Sequence, residues 1–157
     1  MSKQHHYTAT IKWTGNKGRG TTRYDTYERA HTWAIEGKQT IACSSDTPFR
    51  GDGTKHNPED ALLYALSSCH MLWYLHLCAD AGIIVTDYID NAKGVLTMDT
   101  PEGARFTEVT LFPEIMVADA SMIEKANALH GEAHAKCFIA KSVNFPVRHE
   151  PKAVAAM

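Results

Sequence analysis

Asn57–Gly82, NPEDALLYALSSCHMLWYLHLCADAG, decides how the chain folds. Asn57 is a capping residue, and Pro58 suits the first helical turn, where its missing N–H is not needed. Glu59 and Asp60 sit at the positive end of the helix dipole. Nothing breaks a helix from there to about Ala81, and Gly82 supplies the stop. Leu62, Leu63, Leu66, Cys69, His70, Trp73 and Leu77 form one broad stripe, widened by Ala65, Leu72 and Leu75. A helix apolar around most of its circumference is covered on most sides. It is expected to be the central helix of the domain.

Upstream, the sequence reads as strands. Tyr7, Ala9, Ile11 and Trp13 alternate with other residues, TGNKGRG supplies a turn, and Thr21–Tyr27 suits a strand paired back on the first. His31–Ile35 and Thr40–Cys43 are shorter strand candidates around a turn at Glu36–Lys38. The polar loop SSDTPFRGDGTKHNP is long enough to carry function. Downstream, strands are expected over Ile83–Ile89, Ala92–Met98 and Phe106–Val117. A second helix starts near Asp119 or Ser121 and carries Met122, Ile123, Ala126, Leu129 and Ala133. A last strand spans Ser142–Arg148. The order of elements is α+β, with no linker or repeat, so residues 1–157 are expected to form a single domain.

The chain has 157 residues and a net charge of −2, which leaves no basic field to hold a phosphate backbone. Nucleic acid is not an expected partner. The N-terminal MSKQHHYTATIKW lacks the apolar core of a signal peptide. No apolar run is read as approaching the ~20 residues of a membrane span. The expected setting is a reducing cytoplasm, with no membrane contact, where a cysteine stays reduced unless it is catalytic or binds metal.

Four cysteines, Cys43, Cys69, Cys78 and Cys137, therefore pose a chemical question. On an intact helix Cys69 and Cys78 lie on opposite faces, ~13.5 Å apart. A disulfide needs Cα atoms within about 7 Å, so these two do not pair. Cys43 and Cys78 read as small buried hydrophobes. His130, His134 and Cys137 follow the spacing of one helical face, a legitimate arrangement for zinc, although three ligands on one helix leave a site to be completed from elsewhere. The alternative is that these histidines are the polar side of a helix end.

NPEDALLYALSSC, taken with the distant HAKC, resembles the OsmC/Ohr family of thiol peroxidases. In that family a helix opens Asn-Pro-Glu and carries a cysteine ten residues after the glutamate, as Glu59 and Cys69 do. A second cysteine follows a later helix, often with a polar residue three before it, as His134 and Cys137 do. WTGNKGRGT looks like the family's N-terminal hairpin, and FRGDGTKHNPE like its approach to the helix. The second cysteine is followed here by CFIAKS, where the best-studied branches have Pro-x-Ser, which points to a less characterised OsmC-like branch.

The resemblance implies an OsmC-like fold, with antiparallel sheets packed around a long central helix in an intertwined homodimer. It implies Cys69 as the peroxidatic thiol and Cys137 as the resolving one, with a Cys69–Cys137 disulfide formed after attack on an organic hydroperoxide. A dithiol, such as a lipoylated protein, would restore both thiols, with no cofactor and no metal. Mid-helix burial raises a thiol pKa, so a cation is needed, and Arg19 is the first candidate. Glu59 would hold that guanidinium, although it stands ~15 Å from Cys69 along a straight helix. Either Glu59 lies on a bent approach, or it serves Cys69 of a second copy. Arg50, Trp73 and His70 are the candidate substrate-binding residues, with Trp73 as an apolar pocket wall. The competing reading is a binding or redox-sensing protein of the same fold, holding a small hydrophobic ligand.

Overall fold

The 23-residue helix α1 runs from Pro58 to Asp80 in the computed structural model, which describes residues 3–156. Its start is a reciprocal cap: Asp60 N–H donates to Asn57 Oδ1 at 2.8 Å, and Asn57 N–H donates to Asp60 Oδ2 at 3.2 Å. Its end is a left-handed glycine stop. Gly82 has φ 70°, and Ile83 N–H reaches back to Cys78 O at 2.8 Å. The sequence reading found no run long enough to span a membrane. By length and composition alone, α1 is such a run.

The chain divides into two compact units, one ending at Ala61 and one beginning at Leu62. The first holds β1 (Thr10–Trp13), β2 (His31–Ala34) and β3 (Ile41–Cys43) in an antiparallel sheet of that order. The register pairs Trp13 with His31 and Trp33 with Ile41. The expected strand at Thr21–Tyr27 is absent. Its Thr and Tyr content suits a strand, but the segment folds into turns, and β1 pairs with β2 instead. The turns have their own anchors. Asn16 Oδ1 accepts from Gly18 and Gly20 N–H, and Thr26 Oγ1 accepts from Arg23 N–H. Gly15 permits the close passage of strand extensions, because a Cβ there would meet Glu28 O at 1.9 Å.

The second unit holds β4 (Val85–Asp90), β5 (Lys93–Thr97), β6 (Arg105–Leu111), β7 (Pro113–Val117), α2 (Ile123–Lys136), β8 (Val147–His149) and β9 (Lys152–Ala155). They form two three-stranded sheets, β4-β7-β9 and β5-β6-β8. The expected purely antiparallel pattern holds for β4–β7 and β5–β6 but not for β6–β8 and β7–β9, which are parallel. The physical reason is the crossover. The chain leaves β7, passes through α2 and returns in the direction it came from, the connection parallel strands require. The single expected strand Phe106–Val117 is two strands in different sheets, and β9 lies beyond the last strand the sequence reading named.

Each sheet covers a different length of α1. Leu66 packs with Val109 and Leu111 of β6, flanked by Leu62, Leu63 and Phe106. Tyr74, Leu77 and Cys78 pack with Ile115 and Val117 of β7, Ala153 of β9, and Ala126 and Ala133 of α2. Burying a side chain of the size of Leu66 stabilises by roughly 1.5–3 kcal/mol. Between the cores, Asp90 accepts from Ser67 Oγ at 2.5 Å and from Phe112 N–H at 2.7 Å, tying α1 to the ends of β4 and β6. That tie is two residues from Cys69 on the same helix.

Candidate active site

Cys69 is half-buried on α1, whereas Cys137 is the C-cap of α2 and is 1% exposed. The last turn of α2 sets Cys137 in place: its N–H donates to Ala133 O and His134 O, while its φ of −63° and ψ of 113° turn the chain out of the helix. A tight turn follows, in which Ala140 N–H donates to Cys137 Sγ at 3.4 Å. The two thiols, distant in sequence, lie close enough to act on each other. Burial, and then the Cys69 thiol beside it, push Cys137 up to about 11, so it keeps its proton at neutral pH. All four cysteines are in the thiol form.

Such a pair has a definite chemical capacity. Two apposed thiols are a two-electron reservoir. One can be oxidised to a sulfenic acid, and the other can condense with it and release water.

Beside the pair lies an open apolar hollow of about 290 Å³, lined by Leu72, Trp73, His76 and Phe138. Trp73 meets Phe138 edge-on at 5.5 Å, and the Lys136 ammonium lies 5.5 Å from the Trp73 ring centre. Phe138 and Leu72 are exposed. Trp73 lines this hollow; Phe138 was not foreseen, although its place immediately after Cys137 was a usable signal.

His70 does not line this hollow. It is buried in a stack of imidazoles, its Nε2 hydrogen-bonded to His130 Nδ1 at 2.9 Å with rings nearly parallel. Tyr74 stacks on His130 at 3.9 Å, and His149 of β8 lies against both His70 and His134. Burial, then repulsion from His149 and His134, lowers His70 to about 4. Burial, then His70 and His149, lowers His130 to about 3. Burial also lowers His149. His70 and His130 are therefore neutral at pH 7. His130, His134 and Cys137 share one face of α2, as their spacing predicts, yet they do not converge on one point. Among the described residues, no group of three or more His, Cys, Asp or Glu is placed to hold a metal ion.

The remaining candidates lie in the first unit. Arg19 is exposed on the loop after β1 and makes no ion pair or side-chain hydrogen bond among the described residues. Glu59 is half-buried in the first turn of α1. Arg50 is exposed at the end of a 3-10 turn, Thr47–Phe49. It borders a separate hollow with Arg29, a residue the sequence reading passed over.

The description "OsmC-like protein" belongs to a family whose model matches residues 51–152. An OsmC-like protein of unknown function from Vibrio cholerae is 32% identical, covering 94% of this chain and 99% of its own, with a TM-score of 0.85. At lower identity the fold recurs in an organic hydroperoxide resistance protein from Legionella pneumophila (18% identical, covering 98% of this chain and 100% of its own, TM-score 0.68). It recurs again in one from Elizabethkingia anophelis (15% identical, covering 98% and 100%, TM-score 0.66). No curated protein is matched by the sequence. The motif NPEDALLYALSSC, the family match and the likeness along nearly the whole Vibrio chain agree: this chain belongs to the OsmC-like family.

Proposed function

We propose that the chain is a cysteine-dependent thiol peroxidase that reduces organic hydroperoxides, working as a homodimer in the cytoplasm. The observation that carries the reading is the apposition of Cys69 and Cys137, one half-buried and one buried and protonated. The fold of relatives named for organic hydroperoxide resistance supports it.

In this mechanism the Cys69 thiolate attacks one peroxide oxygen and the O–O bond breaks. The alkoxide takes a proton and leaves as an alcohol, and Cys69 becomes a sulfenic acid. The Cys137 sulfur then attacks the Cys69 sulfur, and its proton leaves with the hydroxyl as water. A dithiol reductant takes up the disulfide by exchange and restores both thiols. The buried proton on Cys137 suits a group that reacts second. Trp73 and Phe138 form the apolar side that accepts an organic peroxide tail. Arg19 is the candidate cation for the thiolate and Glu59 its carboxylate holder, supplied within one chain or across the homodimer; Arg50 is a candidate at the pocket mouth. His70, a substrate-binding candidate by sequence, is held instead in the imidazole stack.

Thiol titration of the denatured protein, before and after one equivalent of an alkyl hydroperoxide, tests the reading. The expected result is a fall from four titratable thiols to two, abolished by Cys69→Ser. An unchanged count at millimolar peroxide overturns it. The open hollow at Leu72, Trp73, His76 and Phe138 favours the second reading, a small-hydrophobic-ligand or redox-sensing protein. An unchanged thiol count together with saturable binding of an apolar ligand would select that one.

A further inference from the structure

The first unit carries a hollow of about 300 Å³ lined by Glu28, Arg29, Ala30, Ser44, Arg50, Gly51 and Asp52. Arg29 and Ser44 are held in place, and each carboxylate of the lining has a partner of its own. Arg29 donates to Tyr27 O at 2.7 Å and to Tyr24 O at 2.8 Å, and its guanidinium lies 4.1 and 4.2 Å from the Tyr24 and Tyr27 ring centres. Carbonyls and π faces orient a cation without cancelling its charge. Arg29 makes no ion pair among the described residues.

Arg50 has φ 63°, the only positive φ among described residues other than glycine. A left-handed arginine is strained and persists only where its surroundings fix it. Here they do: Arg50 N–H donates to Thr47 O and Gly51 N–H to Asp46 O. A Cβ on Gly51 would fall 1.6 Å from Ser45 O, so the loop admits no side chain there. The Arg50 guanidinium meets no hydrogen-bond or ion-pair partner among the described residues. Ser44 is 2% exposed; its Oγ accepts from Asp52 N–H at 3.0 Å, which leaves its O–H free to donate.

The two carboxylates of the lining are committed. Glu28 pairs with Lys17 at 2.6 Å. Asp52 Oδ1 accepts from Thr54 N–H and Oγ1, bonds that hold its carboxyl below the usual range. Two guanidiniums and one hydroxyl therefore face a space larger than a carboxylate alone.

We infer that this hollow binds a small organic monocarboxylate, gripped by Arg50 and Arg29 with its chain in the remaining volume. A planar guanidinium matches a carboxylate in a two-pronged bond. Glu28 and Asp52 in the same lining offset part of the guanidinium charge, so a single negative charge fits better than a phosphate dianion.

The test is titration of the full chain with hexanoate, followed by amide chemical shifts, with hexan-1-ol and inorganic phosphate as separate arms. Saturable shifts at Ser44, Arg50 and Gly51 with hexanoate, and none there with the alcohol, are expected. Arg50→Asn keeps a residue that tolerates the left-handed conformation and should weaken binding about tenfold or more. Arg29→Lys, which keeps the charge but loses the fork, should also weaken it. The Cys69→Ser protein should bind as the parent does. Absence of saturation at tens of millimolar hexanoate overturns the inference. So does undiminished binding by Arg50→Asn, or binding of phosphate in preference to hexanoate.

Discussion

Cys69 and Cys78 share one helix, nine residues apart, and have opposite surroundings. Cys69 is half-buried and meets a second thiol; Cys78 is 1% exposed and packs with Tyr74, Leu77 and Ile115. Burial pushes the Cys78 thiol up, while a side-chain hydrogen bond with Tyr74 works weakly against that. The difference comes from helical phase. The turn bearing Cys78 is pressed on the β4-β7-β9 sheet and α2, whereas Cys69 sits at the height where the chain leaves α2. The setting of each thiol follows from what its face of the helix meets.

The strongest way to break this contrast is to exchange a hydroxyl for each thiol. Cys69→Ser is expected to bring peroxide-driven thiol loss to background, measured by stopped-time thiol titration. Cys78→Ser should leave that loss at the parental rate. If both variants lose it equally, the division of roles fails.

The next effect is acid sensitivity of the imidazole stack that starts beside Cys69 and ends on Tyr74. His70 and His130 are held neutral, to about 4 and about 3. The unfolded chain binds protons below its ordinary histidine range while the folded chain does not. Stability is therefore full above about pH 7 and falls as pH drops through 6.5 toward 4, by on the order of 5 kcal/mol for the pair. Urea unfolding across that range measures it, and His130→Phe should flatten the slope.

A smaller effect lies at the alkaline side. Cys137 stays protonated to about 11 when folded, so stability should fall as pH rises from about 9 to 11, by about 2 kcal/mol. Cys69→Ser should reduce the drop by removing the neighbour's share. Smallest is Cys78→Ala, expected to cost about 1 kcal/mol through a small cavity, with thiol loss on peroxide unchanged. Thermal unfolding of that variant checks it.

Much of α1 was legible in the sequence, because Asn57, Pro58 and Gly82 are local signals acting on their own backbone. The separation of Cys69 from Cys78 needed only the helical repeat. His149 was not legible: it joins the imidazole stack through a parallel pairing of β8 with β6, and no local pattern announces a long crossover. Thr21–Tyr27 misled because β-branched and aromatic residues suit a strand. Here the tyrosines instead embrace Arg29, a cation–π arrangement set by geometry and absent from composition. The same event hid Arg29 itself, which reads in sequence as one more charged residue between turns.

Phe138 follows Cys137 directly and meets the edge of Trp73, one turn along from Cys69. Closing a bond between the two sulfurs would draw the end of α2 toward α1 and shift that aromatic contact. The indole would then respond to such a bond, and its emission would serve as a turnover gauge that needs no added dye.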